Sequence, residues 1–135
     1  MSSASVIDQS FSALSTAAVQ RLEPLCHIIT PIGMLSYGFD EDHTRQELEQ
    51  LKLSPVPTVL ILDSGSTDSG PSKLASGQMS APRSSYERDL RKLLSLTYEY
   101  KVQLIIGSAG GDGSDAHVDE LIEIIREICG EDGNE

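Results

Sequence analysis

Thr58-Val59-Leu60-Ile61-Leu62-Asp63, running into Ser64-Gly65-Ser66-Thr67-Asp68-Ser69-Gly70-Pro71, is the stretch on which the fold turns. Five uncharged residues make a run of strand length. Apolar residues at every position suit a parallel strand covered on both faces, where an alternating pattern would suit a half-exposed one. The scheme recurs on either side. Upstream, Leu25-Cys26-His27-Ile28-Ile29 is stopped by Thr30-Pro31, and downstream Val102-Gln103-Leu104-Ile105-Ile106 opens onto the glycine-rich loop Gly107 to Ser114.

A helix is predicted after each strand. Asp42 or Thr44 can cap the first, Thr44 and Glu47 having capping-box spacing, and Pro55 and Pro57 close it. Ser84 and Glu87 repeat that spacing ahead of an apolar face of Tyr86, Leu90, Leu93, Leu94 and Thr97. The last helix carries Val118, Leu121, Ile122, Ile125, Ile128 and Cys129, with Gly130 placed as its stop. Three such units predict an α/β fold: a parallel sheet of at least three strands built from successive βα units, a Rossmann-like three-layer sandwich. Right-handed crossovers then send all three strand-to-helix loops out at the carboxyl edge, where open α/β sheets place their sites. The α/β domain spans residues 25–130, and residues 131–135 form an acidic tail. Residues 1–24 are a lead-in in which Phe11, Leu14, Ala18 and Leu22 have helical spacing, a flexible segment being the other reading.

The 135 residues suffice for one domain, with 39% hydrophobic and 23% charged residues and no Trp. A formal net charge of −11 repels phosphate backbones and anionic lipid, so neither nucleic acid nor membrane is an expected partner. No apolar stretch approaches the ~20 residues that cross a bilayer, and the first twenty residues lack a secretory pattern. Cys26 and Cys129 read as buried reduced thiols in a cytoplasmic protein.

Two loops carry the candidate chemistry. Asp63, flush with its strand, is placed as a base, ligand or substrate anchor. Ser64, Ser66 and Thr67 add hydroxyls, while Gly65 and Gly70 let backbone N–H groups approach a ligand; a Ser/Gly linker is the competing reading. Gly107, Ser108, Gly110 and Gly111 lead into the last helix, whose start suits an anion. The loop matches neither the Lys-containing phosphate loop nor the dinucleotide pattern. Asp112 and Asp115, with Asp63 and Asp68, are carboxylates that could share a divalent ion such as magnesium, Asp115 being equally placed as a helix cap. His117 is the proton-transfer candidate beside Asp63 and Asp68, and Arg83 a candidate anion clamp; surface roles compete for both. His27 reads as a hydrogen-bonded core residue.

Asp63-Ser-Gly-Ser-Thr-Asp-Ser-Gly-Pro71, then Ser84-Ser-Tyr-Glu-Arg-Asp-Leu90, then Leu104-Ile-Ile-Gly-Ser-Ala-Gly110 resembles the acyclic terpene utilisation (AtuA-type) family, whose members show these three motifs in this order. The resemblance covers roughly residues 27 to 128 and places Asp63, Gly65, Ser66, Asp68, Gly70, Arg88, Asp89, Gly107, Ser108 and Gly110 at motif positions. It implies a metabolic protein of terpenoid or acyl-compound breakdown and assigns no catalytic step. Family proteins are several times longer, so the resemblance implies a truncated gene product or a fragment. Two functions follow. One is a small-molecule domain whose loops hold an anionic or acyl substrate; the other is a non-catalytic module that associates with itself or a longer relative through its sheet edge.

Overall fold

In the computed structural model, residues 24–66 and 68–132 are described, and within them the sheet has three strands. β1 (His27–Ile29), β2 (Thr58–Asp63) and β3 (Gln103–Gly107) lie side by side in chain order, and both pairings are parallel. His27 stands opposite Thr58, and the β2–β3 register runs from Val59 opposite Gln103 to Asp63 opposite Gly107. Four helices complete the described chain: α1 (Glu41–Leu51), α2 (Gly70–Ser76), α3 (Arg83–Tyr100) and α4 (Asp115–Asp132). A short 3-10 turn, Ala109–Gly111, precedes α4.

Chain-order neighbours joined by crossovers of one hand must carry their connecting helices on one side of the sheet. Burial follows that rule. Leu60 and Leu62 of β2 are buried against Leu48 of α1, the Tyr86, Leu90, Leu93 and Leu96 stripe of α3, and Leu121, Ile124 and Ile128 of α4. On the other face Ile28 is 60% and Ile105 50% exposed. Cover on both faces, expected from the continuous apolar runs, is thus present on one face among the described residues. The uniform pattern of β3 hides an alternation of half-buried and exposed positions.

Several local expectations are corrected. Asp40 caps α1, accepting the His43 N–H at 2.9 Å, so Asp42 and Thr44 lie inside the helix. Pro82 precedes α3 with no side-chain cap, so Ser84 and Glu87 form no capping box. The long loop after β2 is broken by α2, which begins with a proline in its first turn and ends on Gly77 in the left-handed region. Gly130 sits within α4, which continues to Asp132. Cys26 is exposed, because β1 starts only after it, and Cys129 is half-buried. His27 is half-buried, with Nε2 2.7 Å from Ser54 Oγ. The helical reading around Phe11 to Leu22, Thr67, and the end of the acidic tail lie outside the described residues.

The loop between β1 and α1 is held from a distance. Asp89, fully buried on α3, accepts the N–H groups of Ser36 and Gly38 through Oδ2, both at 2.9 Å, and Arg88 Nε donates to Oδ1 at 2.8 Å. Arg88 also donates to the Ser36 carbonyl at 2.7 Å. Ser36 has φ 94°, a left-handed backbone that a non-glycine residue keeps only when its surroundings enforce it. Asp89→Ala would leave the buried Ser36 N–H and the half-buried Gly38 N–H without their acceptor. We expect it to destabilise the chain by about 2–4 kcal/mol in urea unfolding, well beyond an exposed Asp→Ala change.

Candidate functional site

The carboxyl edge of the sheet is knotted from three loops. Asp63 Oδ1 accepts the N–H groups of Ser64 at 2.7 Å and Gly65 at 3.0 Å, so the carboxylate turns the chain that follows it. The Ser64 N–H also reaches the Gly107 carbonyl at 2.9 Å, and the Asp63 carbonyl accepts the Leu35 N–H at 2.8 Å. An isolated parallel bridge between Met34 and Asp63 extends this edge toward the first loop. Asp63 and Gly107, paired in register, line one hollow with Thr30, Gly33, Ile61 and Ile105. Period-two alternation puts this hollow on the open face of the sheet.

A second polar group lies on the helical side. Asp112 Oδ1 accepts the Ser114 N–H at 2.8 Å and lies 2.8 Å from His117 Nδ1, with both side chains almost wholly buried. The Ser114 N–H, with His117 beside it, holds the Asp112 carboxyl below its ordinary range against the opposing effect of burial. An ionised carboxylate only accepts, so the His117 Nδ1–H donates to it.

Close backbone approach builds this region. Gly110 (φ 67°) lies over the His117 ring, and a Cβ there would fall 2.5 Å from Cγ. A Cβ on Gly65 would fall 2.5 Å from the Gly111 carbonyl oxygen, and one on Gly111 2.0 Å from Ser80 Oγ. Ser80 in turn donates its N–H to the Gly110 carbonyl at 2.8 Å. Near this contact are the buried hydroxyls of Ser64, Ser80 and Tyr86, which have no hydrogen-bond partner of good geometry. Burial pushes the Tyr86 phenol up, with Ser64 the main opposing influence.

The candidate residues therefore divide. Ser64, Gly65, Gly107, Gly110 and Gly111 come together at the loop knot, and Asp63 faces the open hollow. His117 lies on the other side of the sheet plane, packed under Gly110, and does not line the Asp63 hollow. Ser66 and Asp68 are exposed; the Ser66 carbonyl accepts the N–H groups of Ser69 and Gly70 as the chain enters α2. Ser108 is exposed with φ 49° ahead of the 3-10 turn. Arg83 is engaged by Glu87 at 2.9 Å and by Glu127, which makes it a surface partner of two carboxylates. Asp115 is exposed at the start of α4.

Among the described residues no three His, Cys, Asp or Glu side chains are grouped to hold a metal ion. Three N–H groups of the glycine-rich loop are also committed locally: Gly111 to Ser108, Gly113 to Ala109, and Ser114 to Asp112. The sequence reading missed Asp89 as an anchor and Ser80 as a site neighbour. Asp89 was legible, because it stands three residues from Tyr86 and four from Leu93, a carboxylate on an apolar helix face. Ser80 gave no signal, being one of many serines in a polar stretch. No family model, curated protein or solved structure matches the chain.

Two tests follow from this geometry. Gly110→Ala must abandon its left-handed backbone or displace His117, so we expect a loss of about 2 kcal/mol or more in denaturant unfolding and a change in the imidazole NMR signals. Asp112 titrates lower in the folded chain, so its stabilisation is fully present above the unfolded carboxylate range, near pH 4, and is lost as pH falls through the lowered value. Urea midpoints measured from pH 7 down to pH 3 should fall less steeply in Asp112→Asn than in the parent below pH 4.

Proposed function

We propose that the chain is a cytoplasmic small-molecule metabolic domain resembling the AtuA type, with its binding site at the carboxyl edge of the sheet. One observation carries this reading: Asp63 and Gly107, from adjacent strands, line the same hollow, with Ile61 and Ile105 as its apolar lining. An apolar surface with few convergent polar groups is the usual make-up of a ligand site. The Asp63 carboxylate and a net charge of −11 disfavour a ligand whose anionic end enters this hollow. The composition suits a branched acyl body on the isoleucines and a polar end that donates a hydrogen bond to Asp63. Proton transfer in this reading falls to Asp63 within the hollow, while His117 with Asp112 serves the loop from behind. No helix among the described residues is long and apolar enough to cross a membrane.

A second reading, an interaction module, is favoured by the open sheet face with Ile28 and Ile105 exposed. Thermal melts against short branched acyl amides, alcohols and carboxylates separate the two. A ligand of the native state raises the melting point by mass action, by about 2.7 kcal/mol of stability at a hundredfold excess over Kd. We expect neutral ligands to shift the transition, carboxylates to shift it less, and Asp63→Asn, which keeps an acceptor oxygen, to reverse that order. No shift with any of them, together with concentration-dependent association in gel filtration, would replace the metabolic reading with the module.

A further inference from the structure

We propose that the outer edge of β3 and the groove beneath α4 form a docking seat for an extended strand of another protein, apolar on alternate residues and flanked by basic ones. The backbone selects a strand. The Ser64 N–H bonds the Gly107 carbonyl at 2.9 Å, so the peptide groups of Gly107 face β2. Alternation along β3 turns those of Gln103 and Ile105 the same way and leaves the N–H and C=O groups of Leu104 and Ile106 on the outer edge. They meet no backbone partner among the described residues. Unpaired groups on an edge are a template for a further strand, and natural edges are commonly blunted by brevity, charge or proline. β1 has that protection, being three residues long and followed by Thr30-Pro31. β3 has none, since Gln103-Leu104-Ile105-Ile106-Gly107 carries neither charge nor proline.

The groove selects the side chains. Leu104 and Ile106, with Leu94 of α3 and Val118, Ile122 and Ile125 of α4, line an open groove of about 320 Å³ beside that edge. Val118 and Ile122 remain 38% and 37% exposed above it. A strand bonded to Leu104 and Ile106 directs every second side chain into this space, about 6.7 Å apart, and the others to the open face. Charge sets the flanks. Asp115 and Asp119 stand three residues before Val118 and Ile122 and so lie beside them on the helix, with Arg126 beyond Ile122, and the whole chain carries −11. A second copy cannot supply the strand by two-fold pairing of β3 with β3. That axis would bring both α4 helices, each about 10 Å wide, over one junction of strands about 4.8 Å apart. The seat lies on the helical side and outer edge of β3, whereas the Asp63 hollow is on the open face. Strand docking therefore leaves Ile61 uncovered, and the two kinds of binding can be found or lost separately.

The experiment titrates the full chain, isotope-labelled at backbone amides and at isoleucine and valine methyls, with the end-blocked peptide Lys-Val-Thr-Val-Thr-Val-Lys. Saturable NMR shifts at Leu104, Ile106, Val118 and Ile122 support the proposal when hydrogen exchange of the Leu104 and Ile106 amides slows by about tenfold and that of Ile105 does not change. Glutamates in place of the peptide lysines should weaken binding about tenfold, as should Ile122→Asp in the chain. A backbone N-methylated peptide, which leaves the chain itself untouched, should not bind. Absence of the shifts overturns the proposal, as does equal binding of the glutamate or N-methylated peptide, or shifts confined to Ile28 and Ile61 on the open face. So does self-association that perturbs Leu104 and Ile106 without any peptide, which would assign the edge to a second copy.

Discussion

Parallel pairing of β2 with β1 on one side and β3 on the other is the constraint from which the rest follows. Each parallel pair demands a crossover, and crossovers of one hand between chain-order neighbours stack their helices on one face. The core of leucines, isoleucines and Tyr86 therefore forms between that face and α1, α3 and α4. The same pairing sets Asp63 beside Gly107, so the ends of two strands and their loops share an edge without any further device.

Three aspartates perform one physical task at that edge. Asp63, Asp89 and Asp112 each accept backbone N–H groups from turns that the ladder cannot satisfy. Buried amides need acceptors, and ionised carboxylates make the stronger bonds. The polar residues that look most like chemistry in the sequence are thus partly architectural. Only Asp63 combines that duty with a place in the open hollow.

The strands, their order along the chain and the carboxyl-edge convergence of two loops were legible because apolar runs, glycine clusters and stripe spacing are local signals. Two-sided cover was not, since a residue such as Ile105 reads the same whether a helix lies over it or not. The caps were misplaced because Asp40, Asp42 and Thr44 are near-equivalent candidates, and only the backbone path decides which side chain meets an N–H. In the site, Asp63 was legible from its position at the strand end. The separation of His117 from it was not, because the side of the sheet on which a residue falls depends on a turn of glycines whose dihedral angles leave no sequence trace.

The crowding of Gly65, Gly110 and Gly111 limits how such a chain can diversify. No side chain fits at any of the three without displacing backbone, a ring or a hydroxyl, so drift is suppressed in the knot. By contrast α2 buries none of its residues. Changes in its length or chemistry would leave the scaffold beneath fixed, so the surface beside Gly111 can be remodelled at this short helix without disturbing the sheet.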